Sequence, residues 1–467
     1  AEGSPGIDLR LFEGRPVITA VEAGSPAEQA GLRPGYVIHS VDGMPLAQIE
    51  AEALAGMEPP DNPRHRVEAV TSYLLGYIYG PAGSHVSIAY TDLAGEGGEV
   101  SLERERRPGG EQVLSGFPAA FVEFETDRLE NGIGYIRYNW FDASLTQELP
   151  RAIAAMDDAP GLIIDLRGNP GGMRDAAIAG AEQLMSSPAQ CSTLLRRGGV
   201  EDFGLDPAWS AYEGPVVVLI DEMSKSSSEF FAGCTQAIGR AVIVGQRSPG
   251  SVGPAELLLL PNGGTLIFPT AREYLLDGTM LEGHGVIPDI EVALEPRLLA
   301  QGVDSQLEAA IGYLQQELAR PEGFALYLLA GDVPGTDVLG ADLNDLELEA
   351  APLLTSDDIL AYDWDRHEIT LTAEAYERVQ GLFTLPVEVF GMPFVVSVGQ
   401  KRIYAGAFMT PASSISYEGV VIGQPWEEGT TTITIGLGYP SPEAFAGRDP
   451  RSDPRIRRAL EEAGVLE

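Results

Sequence analysis

The sequence predicts an α/β core with a β-rich domain in front of it and an α+β domain behind it. Two continuous apolar runs carry the first part of that prediction: Gly161-Leu162-Ile163-Ile164-Asp165-Leu166-Arg167, and Val216 to Ile220. Runs of this kind mark strands buried on both faces of a parallel sheet, and each leads through a short loop into a helical pattern. Residues 6–104 instead alternate short β-type runs with glycine turns, and a Gly/Pro/Asp-rich break after Pro321 separates a last region of mixed strand and helix signals.

Length and charge bound the function. A chain of 467 residues has room for about three domains, each able to bury its own core. The formal charge is −39, from 69 acidic against 30 basic residues, and the only lysines are Lys225 and Lys401. Phosphate binding needs basic patches, so nucleic acid is not expected as a partner. No apolar run approaches the ~18 residues that read as a membrane span. Cys191 and Cys234 are too few for a disulfide framework and lack metal-ligand spacing; Cys234, two helical turns past Ser226, reads as a small buried apolar residue. No metal or cofactor is called for. The start at Ala1 fits either a processed extracytoplasmic protein, whether periplasmic, cell-surface or secreted, or a chain trimmed upstream.

In chain order, Ser25-Pro26-Ala27-Glu28-Gln29-Ala30-Gly31-Leu32 reads as a short helix with a serine N-cap, Pro at its first position and a terminating glycine. Tyr36 to Val41 is a strand and Asp42-Gly43 a tight turn. Residues 51–80 interrupt this module with a Pro-rich piece and a helix from Arg64 to Leu75, after which His85 to Tyr90 resumes it. His39, His65 and His85 share no spacing and read as surface or strand histidines. In the centre come a strand at Asn131 to Arg137, a helix from Ser144 to Met156, the glycine loop Gly168-Asn169-Pro170-Gly171-Gly172 and a helix from Arg174 to Met185. Gly214 to Ser251 then gives a strand, a serine-rich loop, a helix opening at Ser226 and a strand at Ala241 to Val244. A serine at a helix mouth sits among unpaired N–H groups, where an oxyanion can be stabilised. Ser226 and Glu229 also have the S-x-x-E spacing of a capping box, which needs no chemistry.

The stretch Gly24-Ser25-Pro26-Ala27-x-x-Ala30-Gly31-Leu32, with Tyr36 in place of the usual aspartate, resembles a PDZ domain of the bacterial protease type. That resemblance implies peptide capture at a sheet edge, with Pro5, Gly6 and Ile7 as the carboxylate-binding loop. Tyr135-Ile136-Arg137, Asp165 to Gly172, Ser226-x-Ser228-Glu229, Glu282-Gly283-His284-Gly285-Val286-Ile287-Pro288-Asp289-Ile290 and a closing helix from Asp304 to Leu314 stand in the order found in C-terminal processing peptidases. These tail-specific serine proteases join a PDZ domain to a crotonase/Clp-protease-like core. The resemblance covers residues 5–318 and implies a PDZ-like peptide-binding domain at 1–110 and a serine peptidase core at 111–320; beyond it, composition and patterning give a linker at 321–345 and an α+β domain of unassigned role at 346–467.

By the same resemblance Ser226 is the nucleophile, and the N–H groups of Gly171, Gly172 and Ser227 form the oxyanion hole. The family's usual lysine base falls at Ser251 and is absent. Tricorn-like relatives use a histidine upstream of the PDZ domain with a glutamate that Glu282 matches, so a base preceding Ala1 is expected, with His284 as the fallback. The implied activity is endoproteolysis of polypeptides near their free C-termini, with oligomerisation left open. The alternative is a catalytically silent peptide-binding scaffold of the same fold. Asp165 and Arg167 read as a structural pair at the strand end, Glu282 on its own as a loop-bracing carboxylate, and Asp363, Asp365 and His367 as a solvent-facing strand edge rather than a metal site.

Overall fold

The computed structural model describes residues 2–55, 62–107, 110–112, 120–129, 131–208, 210–262, 264–319, 323–331, 333–383, 389–399, 401–425 and 429–467. The Pro-rich piece at 56–61, residues 113–119 at the start of the expected peptidase core and the start of the expected linker lie outside these residues. The chain divides into two compact units after Leu314.

The first unit opens with an antiparallel sheet in the spatial order Ile7–Phe12, Arg15–Val21, Val37–Val41, His85–Thr91, Gly97–Glu103. Its short helix is Pro26–Gln29, and the Ser25 side chain accepts the Glu28 N–H as an N-cap should. Leu9, Ile18, Ile38, Val86 and Ile88 face one core together with Leu74 and Ile78 of the helix Pro63–Ile78. Asn62 caps that helix and Pro63 occupies its first turn, a favourable place for a residue with no N–H to satisfy. Among the described residues Ile7–Phe12 pairs on one side only, and the Pro63–Ile78 helix packs against it.

The second sheet of this unit runs Phe124–Arg128, Gly134–Tyr138, Leu162–Asp165, Val216–Ile220, Val242–Gly245, Ile290–Glu291; the first pair is antiparallel and the rest are parallel. Helices cover both faces. Leu162, Ile164, Val216, Val218 and Ile220 pack with Leu149, Ile153, Phe230 and Phe231 on one side. On the other, Ile163, Val217, Leu219 and Val244 pack on Ala310 and Leu314 of the closing helix. This two-sided cover is why these strands read as unbroken apolar runs rather than alternating ones. A three-stranded sheet of Ala189–Arg196, Gly199–Leu205 and Ala271–Leu275 stands beside the core, with no strong pattern in the sequence to announce it.

Cys191 and Cys234 are joined by a disulfide, their Cα atoms 5.1 Å apart. Cys234 is buried as expected, but it is bonded rather than merely apolar; a partner distant in the chain leaves no trace in local spacing. The bridge closes a span of 43 residues, for which the chain entropy removed from the unfolded state amounts to about 4 kcal/mol. Reduction, or joint Cys191→Ala and Cys234→Ala replacement, is therefore expected to lower the unfolding free energy by about that much, read from urea titrations with and without reductant.

The second unit is built on an eight-stranded sheet in which Phe324–Leu328 pairs with both Leu354–Thr355 and Met392–Val398. Phe324–Leu328 lies inside the segment expected as linker, so that expectation is corrected: Phe324, Ala325 and Leu326 are fully buried, and apolar packing outweighs the Gly/Pro/Asp signals that follow. His367 also departs from expectation. It is buried beside Tyr362, whose hydroxyl lies 3.2 Å from its Nδ1, and among the described residues no group of acidic, histidine or cysteine side chains could hold a metal ion.

Candidate active site

Val216–Ile220 ends at the buried Asp221, whose Oδ1 accepts the N–H groups of Met223 and, from the glycine loop, of Gly168, both at 2.9 Å. Five residues on, Ser226 has φ +56° and ψ −116° at the mouth of the helix Ser227–Ala237. An ordinary N-cap serine is extended; a positive φ at a residue with a Cβ is strained and persists only when its surroundings enforce it. Gly171 supplies part of that enforcement. A Cβ there would stand 2.6 Å from the Ser226 Cβ and 2.8 Å from the Ser227 nitrogen, and its own φ is +93°, so only glycine lets the two loops touch.

The expected oxyanion donors differ in availability. The Gly171 N–H is taken by Asn169 Oδ1 at 2.9 Å, which corrects its assignment as a donor. Gly172 follows it in the loop, and its carbonyl accepts the Ser227 hydroxyl at 2.8 Å. Ser227 is the first residue of its helix, where an N–H has no intrahelical acceptor.

Glu229 does more than a capping box asks. Its Oε2 accepts the N–H groups of Ser226 and Ser251 at 3.0 and 2.8 Å, while Oε1 accepts the Ser248 hydroxyl and the Gly250 N–H, both at 2.6 Å. The side chain is fully buried. Burial pushes its carboxyl up to about 7, against the pull of these four hydrogen bonds. Ser251, at the position expected of a lysine, offers its carbonyl to the Ser226 N–H at 3.0 Å. The strained serine and the 248–251 loop are thus held as one piece.

Glu282 is exposed, and its Oε2 accepts the N–H groups of Val252 and Gly253 at 2.8 and 2.9 Å. This is the loop-bracing role, one loop removed from Ser226. His284 is also exposed; its Nδ1 lies 3.3 Å from the Glu282 carbonyl, a local contact that aims it at its own turn. Neither has Ser226 among its hydrogen-bond partners. The loop Pro5-Gly6-Ile7 is closed on itself: Pro5 has no N–H, the Gly6 N–H goes to Ser4 Oγ at 3.0 Å, and the Pro5 and Gly6 carbonyls accept Ala27 and Glu22. As placed, it lacks the row of donors expected for a carboxylate.

The helix expected at Arg64 to Leu75 is present as Pro63–Ile78; what no sequence spacing announced is that its first turns reach these loops. Asn62 Nδ2 donates to the Pro249 carbonyl at 2.6 Å, Arg64 Nη2 to the His284 carbonyl at 2.8 Å, and Glu68 pairs with Lys225 Nζ at 2.6 Å. His65 Nε2 lies 3.4 Å from the Gly250 carbonyl. Partners about 160 to 220 residues away cannot be read from local pattern, and these residues carry no motif.

Asp165 and Arg167 form the expected pair at 2.6 Å, and Arg167 also binds Asp304 at 2.7 Å. Burial alone would raise the Asp165 carboxyl, but Arg167, Arg137 and the Tyr135 hydroxyl outweigh it and hold it well below the usual carboxylate range. Arg10, from the strand Ile7–Phe12, reaches Asp221 at 2.7 Å with both side chains buried, so it joins the β-rich domain to the base of the candidate site. Beside it lies a cavity of about 490 Å³ lined by Ile7, Tyr79, Arg137, Arg167, Gly168 and Pro170 among others. It connects the edge strand with the glycine loop, although Ser226 does not line it.

Residues 132–292 match the model of Peptidase family S41, and residues 17–59 that of a PDZ domain. The chain carries an S41 peptidase domain together with a PDZ domain. It is similar to a carboxyl-terminal-processing protease of Synechocystis, with 30% identity over 64% of this chain and 64% of that protein. It is similar also to the chloroplastic carboxyl-terminal-processing peptidase 3 of Arabidopsis thaliana, with 26% identity over 60% of this chain and 50% of that one. The chain thus spans half to two thirds of the length of these curated relatives. Among solved structures, the photosystem II D1 C-terminal processing protease matches 67% of this chain and 76% of its own, at 21% identity and a TM-score of 0.42. Within the S41 domain, Ser226, the glycine loop and the 248–251 loop converge. The insertion helix that reaches them begins at Pro63, just beyond the PDZ match.

Proposed function

We propose that this chain is a serine endopeptidase that cleaves polypeptides near their C-termini, with Ser226 as the nucleophile. The observation that carries the reading is the strained Ser226 backbone at the helix mouth, locked by Glu229 and by close contact with Gly171. Strain of this kind costs stability and is retained where it aims a reactive group. The N–H groups of Ser227 and Gly172 would receive the developing oxyanion. An extended peptide added to the open edge of Ile7–Phe12, facing the Pro63–Ile78 helix, would run beside the cavity toward the glycine loop. The Cys191–Cys234 disulfide supports an oxidising, extracytoplasmic setting.

The test is reaction with a fluorophosphonate alongside cleavage of an unfolded polypeptide. The expected result is one covalent adduct, mapped to Ser226, with loss of cleavage in step with labelling. Peptide binding without labelling or cleavage would instead identify the silent scaffold.

A further inference from the structure

We propose that His65, from the helix inserted between the PDZ strands, is the general base for Ser226; the inference rests on the reading of Ser226 as a nucleophile. Contacts bracket the serine from both sides. Glu68 holds Lys225, the residue before Ser226, at 2.6 Å. One helical turn earlier, His65 touches the Gly250 carbonyl at 3.4 Å, and the next residue, Ser251, accepts the Ser226 N–H at 3.0 Å. Positions three apart share a helix face, so the face that carries His65 and Glu68 lies across the segments immediately before Ser226 and beside it.

The helix is seated there firmly. Asn62 donates to the carbonyls of Pro249 and Gly283, and Arg64 to those of Gly283 and His284. These bonds fix the first turn against both loops and restrict where the imidazole can go, which is the support a positioned base needs. A carbonyl oxygen only accepts, so the contact with Gly250 places the proton on Nε2 and leaves the lone pair on Nδ1. No hydrogen bond joins His65 to Ser226 in this structure, as is common in sites that tighten around substrate. His39 and His85 lie on strands of the PDZ sheet, His284 faces its own turn and His367 is in the second unit, so His65 is the histidine that the fold presents to Ser226.

The unprotonated ring nitrogen takes the Ser226 hydroxyl proton as Oγ bonds to the scissile carbonyl carbon, and the carbonyl electron pair moves onto oxygen as an oxyanion. Collapse re-forms the carbonyl and breaks the C–N bond, and the imidazolium returns its proton to the departing amine. Water then repeats the sequence on the acyl-enzyme and releases the new C-terminus.

The experiment compares the full chain with His65→Ala, Ser226→Ala, the double variant and Arg66→Ala, an exposed neighbour bonded to Glu50. Both cleavage of an unfolded polypeptide and fluorophosphonate labelling are followed. The expected result for His65→Ala is a fall of about 10²- to 10⁴-fold in both rates, partly restored by added imidazole, while Arg66→Ala matches the wild type. The double variant should be no slower than Ser226→Ala, because the two groups act as a unit. A His65→Ala chain that cleaves and labels at the wild-type rate while Ser226→Ala is dead overturns the role of His65 and leaves Ser226 standing. A slow His65→Ala chain that imidazole fails to rescue marks a structural side chain and overturns it too. Wild-type cleavage by Ser226→Ala, or a wild type that neither cleaves nor labels, removes both readings.

Discussion

Replacing Ser226 by alanine is expected to lower kcat for polypeptide cleavage by about 10⁶-fold, the scale seen when a serine nucleophile is removed from an otherwise intact site. The fold should hardly notice. Alanine carries the same Cβ into the same positive φ, so the backbone strain is unchanged and the unfolding free energy should move by less than about 0.5 kcal/mol. Ser226→Gly separates the two effects further. Glycine adopts φ +56° without a Cβ penalty, and the variant should be more stable than the wild type by about 1 kcal/mol while equally inactive. Denaturant midpoints beside turnover rates check this. If Ser226→Gly proved less stable than Ser226→Ala, the strain on which the nucleophile assignment rests would not be real.

Much of the fold was legible because its physics is local. Val216–Ile220 matches its sequence reading residue for residue, since a strand covered on both faces must be apolar throughout. The helix mouth at Ser226 was legible from serine and glutamate spacing, and the glycine loop from residues that only a close backbone approach would require. The geometry that gives these residues meaning was not. Whether an S-x-x-E pair is a cap or a site depends on φ at Ser226, which rests in part on close contact with Gly171 from the glycine loop. Gly171 itself looked like an oxyanion donor, yet its N–H is bonded two residues back to Asn169. His65, sharing no spacing with the other histidines, reads as a surface or strand histidine; its contact is with Gly250, 185 residues away, and no periodicity records such a contact. The strand Phe324–Leu328 was hidden for the opposite reason, when the Gly, Pro and Asp residues after it outvoted four buried positions.

Glu229→Gln is expected to loosen the site more than any other single change outside Ser226 and His65. The carboxylate receives four donors, two on each oxygen. A glutamine has one acceptor oxygen, and its amide NH₂ must face the other pair. Turned toward Ser226 and Ser251 it orphans the Ser251 N–H and leaves the Ser226 N–H with the Ser251 carbonyl alone; turned toward Ser248 it still orphans Gly250. An unsatisfied buried donor costs about 1–3 kcal/mol, and above pH 7, where the wild-type side chain is ionised, kcat should drop by about 10²-fold as Ser226 shifts.

The pH dependence of the wild type carries the sharper test. Burial raises the Glu229 carboxyl from an ordinary 4.5 to about 7. A group whose folded pKa is raised contributes stability that is fully present below 4.5 and is lost as pH rises through 7, because over that window the native state binds more protons than the unfolded one. The loss amounts to about 3 kcal/mol at one pKa unit per 1.36 kcal/mol. Activity should run the other way. All four donors point at the ionised form, and a protonated oxygen would become a donor facing N–H groups, so the 248–251 loop and Ser226 are held in register only once Glu229 has lost its proton. Turnover should therefore rise toward pH 7 and above while this contribution to stability falls, and Glu229→Gln should flatten the stability change across that range. Parallel pH titrations of unfolding free energy for the two proteins measure the difference directly; if the two curves stayed parallel from pH 4.5 to 7, Glu229 would be ionised throughout and the opposition between stability and activity would vanish.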